Sequence, residues 1–366
     1  MASIQDIMAW RNISASVQKV ETGVPNRLPS QFMTVKEDVL GDRTTYLTFY
    51  GQRQTARRTE YGSPSRARTL RPAGEQSVTL LHFSEHIKLR QELWLQLREA
   101  NSLIAQKKAQ EEIARAGRDH RQLFDNTRIA SIVSMLANGK VWFDSSGNIL
   151  PSASGAAVTV DYAIPANNRN QLNGIIGTTW SNAAAPIIQN IEDIKIQMMK
   201  NTGREPAHAF YGQNIAQYLF TNTTAKTYWQ YNSALYGQFQ ANPGVIPNGT
   251  FGIANWHRMG DSFFASNSSS ESDTINMQWD GDLLTIIPEV TANTYTLYEG
   301  SVPVPTRLGV ENSAEAALAA VELVYGIGGY AVLEADPVGI KSVYFDTFLN
   351  HWKTPADMFL EKNVSR

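Results

Sequence analysis

Apolar positions change period several times along the chain. Gln31–Val35 and Thr45–Phe49 alternate briefly, and the first 50 residues otherwise hold no sustained period, as in a segment that wraps over another surface. Val78–Phe83 alternates like a short strand, and Ser84 stands where a helix N-cap would. Ile87, Leu93, Trp94, Leu97 and Ile104 then share one face at helical spacing, opposite Glu85, Glu92, Glu99, Lys88, Arg90 and Arg98. This spacing predicts a helix that weakens toward Gly117 and a second that starts near Asp119. The second carries Leu123, Phe124, Ile132, Val133 and Leu136 as its stripe and stops at Asn138-Gly139.

A hairpin is expected next, from Val141–Phe143 through the turn Ser145-Ser146-Gly147-Asn148 to Ile149-Leu150, followed by a strand over Val158–Ile164. Pro186 opens a helix in which Ile187, Ile191, Ile194 and Met198 recur at helical intervals up to Gly203. Ala207–Tyr211 reads as a buried strand and Gln213–Phe220 as a short helix. Asn267–Asp273 reads as a polar loop. Ile275–Trp279 and Leu283–Ile287, joined at Asp280-Gly281, predict a hairpin with a type I′ turn. The most apolar stretch, Ala316–Leu333, holds Glu322 and three glycines, so it predicts a helix, a glycine turn and a strand; a bilayer span would need about 20 mostly apolar residues. Further strands are expected at Tyr330–Leu333 and Ile340–Phe345. The mixture is α+β, without internal repeats.

Composition narrows the chemistry. The 366 residues hold 42% hydrophobic and 18% charged side chains, enough for a packed core. Lysine plus arginine (32) nearly balances aspartate plus glutamate (34), which argues against a protein built mainly to grip nucleic acid. With no cysteine there is no disulfide framework, thiol catalysis or sulfur-ligated zinc. The start MASIQDIMAWRN lacks the basic and apolar regions of a signal peptide, so a soluble, intracellular protein is expected, with no membrane partner. His82-Phe83-Ser84-Glu85-His86 fits the H-x-x-E-H pattern of one zinc-protease class, which needs both imidazoles on one helix face. Ser84 as the cap leaves His82 ahead of the helix, so a strand-to-helix junction is the favoured reading and a zinc hydrolase at His82/His86 the rival. His120, His208, His257 and His351 are isolated. No nucleophile elbow, Walker loop or dinucleotide motif occurs. We therefore assign no catalytic, metal or cofactor-binding residue, and expect no cofactor and no enzyme.

One segment demands a partner. Between Gln52 and Pro72, Arg53, Arg57, Arg58, Arg66, Arg68 and Arg71 face the single acid Glu60, and Gly62, Pro64, Pro72 and Gly74 punctuate the run. From Gly51 to Ser77 neither helical nor strand period survives, which predicts a projecting loop. Guanidinium groups bond acceptors two at a time, so these arginines suit phosphates or the carboxylates of another chain equally well. A nucleic-acid-binding protein using this loop is the second alternative.

The order of parts resembles the major head proteins of tailed phages, and more closely the family of the phage lambda major capsid protein. Trp180-Ser181, Pro186, Ile191-Glu192-Asp193-Ile194, Gly203, Phe210-Tyr211-Gly212 and Leu219-Phe220 carry the likeness, and Val343–Leu349 resembles the closing strand. The resemblance implies a Hong Kong 97-like capsid fold. Residues 1–50 would be an N-terminal arm with a first peripheral strand, and 51–83 an extended loop. Residues 84–179 would form a peripheral domain with hairpin and spine helix (about 119–138), 180–320 an axial domain, and 321–366 the return to the peripheral domain and C-terminal segment. It further implies an icosahedral shell of hexamers and pentamers in the virion, assembled in the host cytoplasm around double-stranded DNA that lies inside without specific binding. A separate scaffold protein and a portal would be partners, and a decoration protein a further one. In such shells the extended loop lies across the neighbouring subunit, which supplies the arginines with a partner. Crosslinking relatives use a lysine there, whereas Gly51–Ile87 has none, so a noncovalent shell is expected.

Overall fold

The computed structural model describes residues 28–49, 73–89, 103–145, 147–169, 176–242, 244–259, 263–265, 275–277, 279–305, 321–335 and 338–361. A single helical turn, α1 (Gln31–Thr34), leads into β1 (Lys36–Val39), β2 (Arg43–Phe49), β3 (Ala73–Thr79) and β4 (Leu81–Leu89). The long helix α2 (Leu103–Asn138) follows, then β5 (Lys140–Phe143), β6 (Ile149–Leu150) and β7 (Val158–Asp161). Helix α3 (Ile187–Thr202) precedes β8 (Pro206–Tyr211) and three short helices, α4 (Gln213–Thr221), α5 (Thr223–Tyr231) and α6 (Ser233–Ala241). The remaining strands are β9 (Asn255–Arg258), β10 (Phe263–Ala265), β11 (Ile275–Met277), β12 (Leu284–Pro288), β13 (Tyr295–Pro305), β14 (Val321–Tyr325), β15 (Gly328–Ala335), β16 (Val338–Trp352) and β17 (Phe359–Glu361).

Helix α2 has 36 residues, a rod of roughly 54 Å. From Arg128 to Ala137 every residue is buried, so this half is enclosed on all sides and no one-sided stripe survives in it. It ends at Gly139, whose φ of +64° forms the left-handed cap and whose N–H donates to Met135 O at 2.8 Å. The two helices expected around Gly117 are thus one continuous helix.

A six-stranded sheet packs on α2. Its spine is β16, which pairs with β13 at one end and lies between β4 and β15 along the rest; β1 and β14 both pair with β13. The helix expected from Ser84 is instead β4. Residues 82, 84, 86 and 88 are exposed and 81, 83, 85 and 87 half-buried, a period of two. Phe83 and Ile87, four apart, fit a helix face and a strand face alike; the nine-pair ladder against Ile340–Phe348 decides for the strand. Leu93, Trp94 and Leu97 lie outside the described residues, as does the side chain of Ile104. Residues 73–77, expected as loop, belong to β3, and Val321–Tyr325, expected as helix, is β14, which turns at Gly326 into β15.

A second sheet, β17-β12-β8-β9, lies between two cores. On β12, Leu284 and Ile286 face the cluster of α3 to α6, while Ile287 and, just before the strand, Leu283 face the cluster of α2 and the large sheet. Ala209 and Tyr211 on β8 point to the first and Phe210 to the second, and Phe359 and Leu360 of β17 divide likewise. Burial on both faces produces continuous apolar runs in place of alternation. The hairpin expected at Asp280-Gly281 does not form. β11 pairs with β10, β12 pairs with β8 and β17, and the intervening turn packs against Gly212, where a Cβ would collide with the Gly281 carbonyl. The expected β5–β6 hairpin, the strand at β7 and the helices α3 and α4 are all present. The loop at Asn267–Asp273 lies outside the described residues, among which no helix is long and apolar enough to cross a membrane.

Candidate assembly site

Strands β2 and β3 form a two-stranded sheet of their own, paired from Arg43–Thr79 to Phe49–Ala73. The ribbon is fastened at its base. Leu80 N–H donates to Asp42 O at 2.7 Å, and Gly41 N–H donates to Ser301 Oγ on β13 at 2.7 Å. Gly300 lets the base approach, since a Cβ there would lie 2.6 Å from Thr347 Cγ2 and 2.8 Å from Leu80 Cδ1. The segment between the ribbon's far ends carries Arg53, Arg57, Arg58, Arg66, Arg68 and Arg71, all outside the described residues.

Beneath the base runs a chain of charges that sequence reasoning missed. Arg128, fully buried on α2, donates from Nε and Nη2 to the Asp346 carboxylate at 2.7 and 2.6 Å, and from Nη1 to Glu299 Oε1 at 2.6 Å. Lys36 on β1 reaches the same Glu299 oxygen at 2.8 Å. One anchor thereby joins the ribbon's approach strand, β13, β16 and the long helix. Burial works against the charge on Arg128, but Asp346 and Glu299 raise its affinity for its proton. Burial likewise opposes ionisation of Glu299, yet Arg128 and Lys36 hold it below the usual carboxylate range. Burial pushes Asp346 up against the pull of Arg128; the bidentate geometry supports an ionised pair. A usable signal existed: Asp346 interrupts an otherwise uncharged run in Val343–Leu349, and Arg128 directly precedes the apolar run from Ile129.

On and just after β1, the acids Glu37, Asp38 and Asp42 are exposed together with Lys36 and Arg43, with Leu40 73% exposed among them.

The His82–His86 pattern does not assemble a metal site. On a strand the two rings stand roughly 13 Å apart, and Glu85 points to the other face, 3.7 Å from His120. His82 Nδ1 instead bonds Thr347 Oγ1 at 2.8 Å. Among the described residues no group of three or more histidines, aspartates or glutamates could hold a metal ion. His208 and His257 do meet, Nδ1 to Nε2 at 3.1 Å, with Glu289 Oε2 3.4 Å from His208 Nε2. Burial lowers both, His257 to about 4.

The model of the family "Phage major capsid protein E" matches residues 9–299. The chain belongs to that family. Its fold is similar to that of a protein named as a prophage capsid protein of E. coli CFT073, at 12% identity over 97% of this chain and 98% of that one, with a TM-score of 0.53. A phage-related protein of Bordetella bronchiseptica RB50 aligns over 100% of both chains at 9% identity and a TM-score of 0.45. No curated protein sequence matches. The capsid protein thus has the Hong Kong 97-like architecture, and as a major capsid protein it is a structural, shell-forming component of a phage head. Neither the zinc-hydrolase nor the nucleic-acid-binding alternative is favoured.

Proposed function

We propose that the arginine segment 51–72 is the inter-subunit clasp of this shell, with Arg53, Arg57, Arg58, Arg66, Arg68 and Arg71 bonding carboxylates of the adjacent subunit. One observation carries this reading: the ribbon that bears the segment pairs with no third strand among the described residues. A two-stranded ribbon is marginal by itself in water, so a neighbouring copy is the natural support. A shell subunit makes several different contacts at once, each propagating to the next copy. Segments that reach outward supply such area cheaply, because one connection adds surface without enlarging the core.

The reading extends to a noncovalent shell of hexamers and pentamers around packaged DNA, built in the host cytoplasm with a separate scaffold and a portal, and without enzymatic activity. A decoration protein would supply clamping that a lysine-free loop does not. The domain limits at 50, 83, 179 and 320 belong to the same proposal.

Converting Arg57 and Arg58 to glutamate tests it. The variant is expected to give soluble subunits with an unchanged circular dichroism spectrum that form no particles in electron micrographs. Normal particles would show the segment to be a passive excursion.

A further inference from the structure

We infer that the seat for the clasp is the outer edge of β1 in a second copy of this chain, an inference that rests on the proposed role of the arginine segment. β1 pairs with β13 in parallel through Lys36–Val39, and among the described strands nothing pairs with its other side. Such a bare edge offers unmet backbone donors and acceptors to an incoming strand.

The side chains around the edge choose the visitor. Lys36 is committed to Glu299, which leaves three exposed acids, Glu37, Asp38 and Asp42, against one exposed cation, Arg43. Glu37 is 57% exposed and only 3.9 Å from its nearest cation, Lys353; Asp38 and Asp42 make no ion pair among the described residues. Leu40, exposed between them, is apolar surface that the stems of arginine side chains can cover.

The occupant is equally specified. Gln52–Tyr61 contains neither glycine nor proline, so it can lie extended, and it holds Arg53, Arg57 and Arg58 against Glu60 alone. A second copy supplies it, since each contact of a shell subunit passes on to the next copy. Each subunit would then offer a cationic strand at one side and an anionic edge at another, the head-to-tail arrangement that builds a shell.

Charge exchange tests this. Arg57→Glu/Arg58→Glu is made as one chain, Glu37→Lys/Asp38→Lys as another, and a third carries all four changes; Glu37→Gln/Asp38→Asn covers failure of the lysine version to fold. Circular dichroism and sedimentation establish folding, and electron microscopy with sedimentation reads assembly. The inference expects loss of particles from either two-site chain alone, particles from the four-site chain, and particles again when the two separate variants are mixed. If the acid-to-base chain assembles normally while the arginine variant does not, the clasp stands but its seat lies elsewhere. Failure of the four-site chain would mean that the edge receives another occupant. Rescue by the four-site chain without rescue by mixing would place the contact within one subunit and overturn the second-copy arrangement. Normal particles from the arginine variant would remove the clasp itself, and this seat with it.

Discussion

Arg128 shows what a single side chain can hold together. It is fully buried, and without it two carboxylates, Asp346 and Glu299, would remain in the interior with only Lys36 as a cation. Arg128→Met should therefore destabilise the subunit by about 3–5 kcal/mol, read as a fall in the urea unfolding midpoint. Arg128→Met/Asp346→Leu should recover much of that loss; a double variant as weak as the single one would mean that packing, not stranded charge, is what fails. His351 gives a pH dependence. Burial, with Lys353 nearby, lowers it from 6.5 to about 3, so the unfolded chain takes up its proton more readily than the folded one. Its contribution is complete above the unfolded value and fades as pH falls toward the folded one. At about pH 5 the loss reaches roughly 2 kcal/mol. His351→Gln should flatten the stability profile between neutral pH and pH 5, and an unchanged slope would clear this residue. The site's charges were half legible: the arginines of segment 51–72 stand out by composition, whereas the buried network needed partners 171 and 218 positions away.

At the scale of elements, local signals succeeded where an element's limits are set by its own backbone. Gly139 and Gly203 stop α2 and α3 because each takes a positive φ that other residues resist. The β5–β6 turn closes on Asp144, which accepts Asn148 N–H at 2.8 Å. They failed where a partner strand chose the outcome, as at β4, or where two buried faces erased alternation, as at β12. Close packing of turns makes a sharp prediction. Gly212→Ala drives a methyl into the backbone of the turn at Asp280 and Gly281 and should abolish soluble expression or lower the melting temperature severely. Gly237→Ala, in α6 with open space around it, should instead raise stability by about 0.5–1 kcal/mol. Equal behaviour of the two variants would refute the packing account.

On the scale of the whole molecule, the two largest cores among the described residues share one sheet, with a ribbon fastened to the larger core through Gly41, Ser301 and the charge chain above α2. Assembly through guanidinium–carboxylate contacts should be salt-sensitive. Raising ionic strength from 0.1 to 1 M shortens the screening length from about 10 to about 3 Å, so particle yield should fall, followed by light scattering. Boiling particles in detergent should release single chains, and ladders of covalent oligomers would contradict a shell without crosslinks. What the chain's own order of residues determined was its family, the stops of α2 and α3 at Gly139 and Gly203, and the concentration of arginine between Gln52 and Pro72, because these depend on local backbone preference, composition and motif order. The tertiary structure alone decided that β4 is a strand, that β12 divides two cores, and that Arg128 meets Asp346 and Glu299. Those outcomes depend on contacts between distant residues, whose energies no local pattern contains.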